Sequence, residues 1–206
     1  MIAGAIAFAC RAVAGSTVEW RCDAFSNAQR IYFANHSSHL DFIVIWSALP
    51  PTMRTRLRPV AGRDYWDRGA IRRRLARDVF GAVLVDRCRE DSNKVDAARD
   101  AIRRMAQEMG SRRSLIVFPE GTRSIDGEIG VFKSGLYHLW RAKPNAELIP
   151  VYLENLNRIL PKGEVLPVPM LSRVVFGPAV QCDAEQPKHR FLDAARRALL
   201  QLRPAR

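Results

Sequence analysis

The sequence predicts a single α/β domain, with a central mixed β-sheet covered by helices and an apolar or amphipathic helix at the N-terminus. Three observations carry this prediction. The chain has 206 residues, enough for one full core. It is 48% apolar, which is a globular composition rather than a disordered one. Short β-rich runs alternate with helical runs along its whole length, the pattern of a sheet covered on both sides.

The first element is MIAGAIAFAC, apolar for about ten residues before it meets Arg11. A spanning helix needs about 20 apolar residues, and a signal peptide carries its cation before the apolar run. Residues 1–20 are therefore set apart as an N-terminal helix, either buried or laid in a membrane interface beside its arginines. Residues 21–206 form the remaining domain. Six brief apolar runs bounded by turn residues or charges read as buried strands: RIYFAN (30–35), RPVAG (58–62), GAVLVD (81–86), SLIVF (114–118), ELIPVY (147–152) and SRVVFG (172–177).

Between the strands lie the helices. LDFIVIWSAL follows the first strand. Residues 92–110 carry Val95, Ala98, Ile102, Met105 and Met109 at spacings of three and four, with Ser92 placed to cap the start and Gly110 the end. Residues 187–202 repeat the pattern with Phe191, Ala195, Leu199 and Leu202.

Charge is high and uneven. Lysine and arginine total 33 against 21 acids, a net charge of +12, which points to an anionic partner: nucleic acid, a membrane surface or a phosphorylated substrate. Nine arginines lie between Arg54 and Arg77. That stretch is either a solvated helix face or a contact for anionic lipid headgroups. The aromatics interleaved in nucleic-acid surfaces are scarce here, which argues against nucleic acid. Cys10, Cys22, Cys88 and Cys182 are scattered without a CxxC pair, so reduced thiols are expected and a metal site is not.

The densest polar cluster is YFANHSSHLDF, residues 32–42, the turn between the first strand of that domain and its helix. Ser37 or Ser38 can cap the helix, whose first amides have no internal partners. His36 and Asp41 are spaced so that the carboxylate can hold one imidazole nitrogen while the other faces a pocket. That is a satisfied turn pair or the base-and-orienter arrangement of general base catalysis. His39 competes for the same aspartate. A second polar turn, FPEGTRS (118–124), follows the strand SLIV, and its glycine permits a tight turn. Glu120 and Arg123 sit on it, and Lys133 follows in the same loop. GAVLVDR delivers Arg87 to another strand end. Three strand ends thus carry a His–Asp pair, an acid and several cations, and such ends are where α/β sheets build sites.

NHSSHLD resembles the NHx4D motif of the glycerophospholipid acyltransferase family, typified by lysophosphatidic acid acyltransferase. FPEGTRS matches the family's second hallmark. GAVLVDR resembles the block between them, and LIPVYLEN (148–155) a fourth block with a central proline, Pro150. All four occur in the family's order, over residues 35 to about 155. The resemblance implies a membrane-associated enzyme on the cytoplasmic face, phospholipid-synthesising, which moves a fatty acyl group from an acyl thioester to the sn-2 hydroxyl of lysophosphatidic acid. His36 would be the general base and Asp41 its orienter. Arg87 and Arg123 would bind the acceptor's phosphate, with Gly121 and Thr122 in the substrate-binding turn and Glu120 positioning or stabilising groups there. Lys133 is added from charge and spacing alone.

No cofactor is implied beyond the co-substrate, acyl-CoA or acyl-carrier protein. Partners are a lysolipid acceptor, that donor and an anionic membrane surface, with no nucleic acid. Helix-start amides of the NHSSH turn are expected to receive the oxyanion. The family's basic amino-terminal helix is represented only by a short stub. Two further readings differ in acceptor or in class: another lysolipid, such as a lysophospholipid or lyso-ornithine lipid, or a basic nucleic-acid-binding module.

Overall fold

The computed structural model describes residues 2–67, 69–86, 94–160, 166, 168, 170–183 and 185–204. In chain order its elements begin with α1 (Ile2–Ala14), β1 (Ser16–Trp20), β2 (Arg30–Ala34), α2 (Asp41–Ala48), α3 (Pro51–Arg54) and β3 (Leu57–Gly62). Next come α4 (Arg63–Trp66), α5 (Ala70–Arg74), which runs into a π-helical turn at Leu75–Val79, and β4 (Val83–Val85). The remainder is α6 (Lys94–Met109), β5 (Ser114–Val117), α7 (Gly135–Ala142), β6 (Glu147–Glu154), α8 (Leu156–Ile159), β7 (Ser172–Phe176) and α9 (Lys188–Leu200).

The seven strands form one mixed sheet in the order β1-β7-β6-β2-β5-β3-β4. Only β6 and β7 pair antiparallel; every other neighbouring pair is parallel. So β2 to β6 all run the same way, and their C-terminal ends share one edge. β2 is central, buried at all five residues, and reads as the continuous apolar run of a strand covered on both faces. Its side chains alternate. Ile31 and Phe33 enter a core with residues of α6, α7 and α9, while Tyr32 and Ala34 enter one with residues of α1, α2 and α8.

The six expected strands all form. The seventh, β1, lies inside the segment that the sequence assigned to the N-terminal helix. Ser16–Trp20 pairs in parallel with Ser172–Phe176, and Trp20 stacks on Phe176 with ring centroids 3.9 Å apart. The helix itself stops at Ala14. Its Ala7 and Cys10 are buried in the α1–α2 core, and Phe8 is exposed. Arg11 turns inward and donates to the Ser47 carbonyl in the last turn of α2, where Arg54 also donates at 2.9 Å. Cations there complement the negative end of the helix dipole. Among the described residues no helix is long and apolar enough to cross a membrane.

α6 and α9 behave differently although their patterns look alike. On α9, Phe191, Ala195 and Leu199 are fully buried, and Leu202 just beyond it is buried too. On α6, Met105 and Met109 are buried, but Val95 is 64% exposed and Ala98 is also exposed. The N-terminal half of that apolar face lines an open groove of about 1120 Å³ between α6 and α7. Ser92, expected to cap the helix, falls outside the described residues. In the basic stretch Arg63 pairs with Asp86, Arg73 with Asp67 and Arg74 with Asp78, all on the surface.

Candidate active site

The site lies at the C-terminal edge of the sheet, where loops after the adjacent strands β2 and β5 meet. β2 ends at Ala34, and Asn35 continues its direction with a side chain instead of a backbone. The Asn35 amide donates to the Leu153 carbonyl and accepts the Leu153 N–H, both at 2.8 Å. This double bond to β6 lets the chain leave the sheet at His36 without orphaning the β6 backbone.

His36 Nδ1 lies 2.7 Å from Asp41 Oδ2. The same oxygen accepts the N–H groups of Ser37 at 2.7 Å and Ser38 at 2.9 Å. Asp41 is fully buried, and its Oδ1 has no hydrogen-bond partner among the described residues. A carboxylate gripped by two backbone donors cannot swing, so it holds the imidazole in one orientation. With Nδ1 occupied, Nε2 is the nitrogen left for a substrate. The first residue of α2 is therefore the anion that collects the turn's amides. The sequence expected serines to cap this helix. Instead Ser38 Oγ accepts the Leu40 N–H at 3.2 Å and donates to the Leu160 carbonyl at 2.9 Å, and no side chain caps α2 itself.

The FPEGTRS turn holds the backbone of His36 from both sides. Glu120 Oε1 accepts the His36 N–H at 2.8 Å, and the Ser124 N–H donates to the His36 carbonyl at 2.7 Å. Glu120 Oε2 accepts the Gly130 N–H at 2.9 Å, which ties in the far end of the loop. Burial pushes the Glu120 carboxyl above its ordinary range, and the Gly130 and His36 amides offset part of that rise. Gly121 adopts φ +70°, a left-handed conformation suited to glycine. A Cβ there would come within 2.9 Å of Lys133 Nζ. The amides of His36, Ser37, Ser38 and Leu40 all have acceptors, which narrows the expected oxyanion donors to other amides of the turn and the helix start.

Phe118, to which the sequence assigned no role, stacks on the His36 ring at 4.1 Å and 19°. Two clefts open on this pair and share the wall Val60–Gly62 at the end of β3. One, of about 240 Å³, is chiefly apolar, lined by Val85, Met105, Leu136 and Leu139, with Gly121 and Lys133 at its polar side. The other, of about 200 Å³, is mixed: it carries His39, Asp64 and Arg123 beside Phe42 and Trp66. The structure thus gathers His36, Asp41, Glu120, Gly121, Arg123 and Lys133. His39 faces the mixed cleft, and the bond to Asp41 Oδ2 is made by His36. Thr122 is exposed and lines neither cleft. Arg87 lies outside the described residues. Asn35 stood in the quoted motif, but its role depends on β6, more than a hundred residues away.

The chain is similar to 1-acyl-sn-glycerol-3-phosphate acyltransferase of Cocos nucifera, 27% identical over 85% of this chain and 54% of that protein. It is similar to the enzyme of the same name from Escherichia coli (strain K12), 31% identical over 70% of this chain and 58% of the other. The chain spans about half the length of the curated relatives it matches. Its fold matches the crystal structure of the 1-acyl-sn-glycerophosphate acyltransferase PlsC from Thermotoga maritima, with a TM-score of 0.70 and 20% identity, over 100% of this chain and 80% of that one. The acyltransferase family model matches residues 18–154, from β1 to the end of β6, a span that includes every site residue named above. The chain belongs to the acyltransferase family.

Proposed function

We propose that this chain moves a fatty acyl group from an acyl thioester, carried by coenzyme A or an acyl-carrier protein, to the sn-2 hydroxyl of 1-acyl-glycerol 3-phosphate. The observation that carries the reading is the 2.7 Å bond between His36 Nδ1 and Asp41 Oδ2, which leaves Nε2 for a substrate on a residue that lines both clefts. The names borne by the coconut and Escherichia coli relatives support the same acceptor.

His36 Nε2 takes the hydroxyl proton as the oxygen attacks the thioester carbonyl. The tetrahedral intermediate then collapses, the C–S bond breaks, and the imidazolium returns the proton to the leaving thiolate. No acyl-enzyme is needed, because the thioester is already activated. The apolar cleft suits the acyl chain. The mixed cleft suits the acceptor, with Arg123 for its phosphate and Arg87 for the same group by family resemblance. Lys133 adds a cation at the polar side of the apolar cleft. Asp41 orients His36 and stabilises its protonated form, and Glu120 is a positioning residue that acts through the His36 backbone. The greasy substrates place the enzyme at a membrane surface on the cytoplasmic side, with the net positive charge favouring anionic lipid.

The test is an acyl-transfer assay with lysophosphatidic acid and a panel of acyl donors. General base help contributes about 10²–10⁴-fold, so His36→Ala should lose at least about a hundredfold in kcat while keeping its circular dichroism spectrum. Normal turnover in that variant would remove the proposed base.

A further inference from the structure

The large apolar side chains that face solvent gather at the edge of the sheet that carries His36. The loop after β5 exposes Ile125 and Val131, the stretch before β7 exposes Leu166, Val168 and Leu171, and α5, reached from the end of β3, exposes Ile71. β7 runs antiparallel to β6, with Arg173 level with Glu154, so the stretch before it meets the C-terminal ends of the parallel strands. The Val168 N–H donates to the Ile159 carbonyl of α8 at 2.8 Å, and the Ser124 N–H, next to Ile125, donates to the His36 carbonyl. In the loops of the opposite edge, Phe25 is the only large apolar side chain exposed among the described residues. α1 turns Ala7 and Cys10 into the core, and its Phe8 is exposed.

Cations stand beside these tips. Arg72, Arg73 and Arg74 follow Ile71 directly and are exposed, as is Lys133 two residues after Val131. Arg73 pairs with Asp67 and Arg74 with Asp78 at the surface. Exposed ion pairs contribute little, so phosphates can take the place of those carboxylates. Exposed apolar groups in number mark a protein or a membrane contact. Here they stand singly on three separate segments around the two clefts. A protein partner would need a fitted pocket for each. A bilayer receives them without shape complementarity, apolar tips in its acyl region and guanidinium groups on its phosphates.

We propose that the protein docks on an anionic lipid bilayer through this edge, with Ile125, Val131 and Leu171 entering the acyl region and the α5 arginines meeting the headgroups. The proposal rests on the membrane association proposed above and assigns it to the catalytic edge rather than to α1. It does not depend on the acyl transfer itself. In this pose both clefts open toward the bilayer, so greasy chains reach His36 without crossing water.

The experiment is sedimentation of the full chain with vesicles of phosphatidylcholine and phosphatidylglycerol. A large apolar side chain that leaves water completely contributes about tenfold or more to partition. Ile125→Gln, Val131→Gln and Leu171→Gln together should therefore weaken vesicle binding at least about tenfold. The melting temperature should stay at the wild-type value, because all three side chains are exposed. Phe8→Gln should leave vesicle binding unchanged. Equal binding by wild type and the triple variant, or loss in Phe8→Gln instead, overturns the proposal and leaves membrane association standing. A wild-type chain that does not sediment with vesicles overturns both. A wild-type dimer in the absence of vesicles that becomes a monomer in the triple variant assigns the face to a second copy and also overturns the proposal. Turnover of the triple variant should match wild type on water-soluble, short-chain substrates and fall on vesicle-borne lysophosphatidic acid. Equal loss on both places these residues in the chemistry instead of in docking and overturns it.

Discussion

Asp41→Asn isolates the charge behind the proposed base. The wild-type Oδ2 accepts three hydrogen bonds, from His36 Nδ1 and the amides of Ser37 and Ser38. All three are donors, so the asparagine must put its carbonyl oxygen there; the reverse orientation would set its NH₂ against two N–H groups. Its NH₂ then occupies the place of Oδ1, which is buried and has no partner among the described residues. The geometry survives, the charge does not, and one buried donor is left unsatisfied at a cost of about 1–3 kcal/mol in stability. The amide bonds are the same in ground and transition states. Only the bond to His36 changes, because the ring becomes cationic as it takes the hydroxyl proton. Opposite unit charges about 4 Å apart attract by about 4 kcal/mol at an effective dielectric constant of about 20. Loss of that attraction slows the chemical step about a thousandfold. Thiol release from the acyl donor, followed under saturating lysophosphatidic acid, reports kcat directly. Both Michaelis constants should stay within a few-fold of wild type, and His36→Ala with Asp41→Asn should be no slower than His36→Ala alone. A folded Asp41→Asn enzyme that keeps a third of wild-type kcat would refute the reasoning.

Three further perturbations test other contacts. Arg123→Ala should raise the Michaelis constant of the acceptor more than that of the donor, and equal effects would count against a phosphate contact in the mixed cleft. Asn35→Ala orphans the buried N–H and C=O of Leu153; urea melts should show a loss of at least about 2 kcal/mol, and a change under 0.5 kcal/mol, roughly a surface substitution, would contradict the role given to this amide. Glu120→Gln removes a carboxyl that burial raises above its ordinary value of 4.5. The folded protein therefore holds this proton more tightly than the unfolded chain does. That contribution is complete below the unfolded value and is lost as pH rises through the folded one. Wild-type stability relative to the glutamine variant should fall as pH climbs above 4.5, and denaturation series that stay parallel across this window would exclude a raised carboxyl.

Elements buried on both faces were plain in the sequence. RIYFA, SLIV and ELIPVYLE are continuous apolar runs, and they form the three central strands β2, β5 and β6. STVEW did not stand out, because β1 lies at the sheet's edge and is only partly buried. Its strand character comes from pairing with Ser172–Phe176, a partner that no local pattern announces. The apolar stripe on α6 was equally plain, but its coverage was not. The same period serves a buried face at Met109 and an open groove at Val95.

By itself the sequence determined the α/β class and the order of its central elements, and it put both His36 and His39 within reach of Asp41; the structure gave the bond to His36. Local spacing and hydrophobic period are written in consecutive residues, and physics reads them there. Only the tertiary structure decided that Glu120 and Ser124 hold the His36 backbone, that Phe118 stacks on the His36 ring where two clefts meet, and that Asp41 receives the amides of Ser37 and Ser38. Those outcomes depend on β5 lying beside β2, and on which acceptor reaches each buried N–H first; that competition is settled in three dimensions, where every buried donor must find a partner.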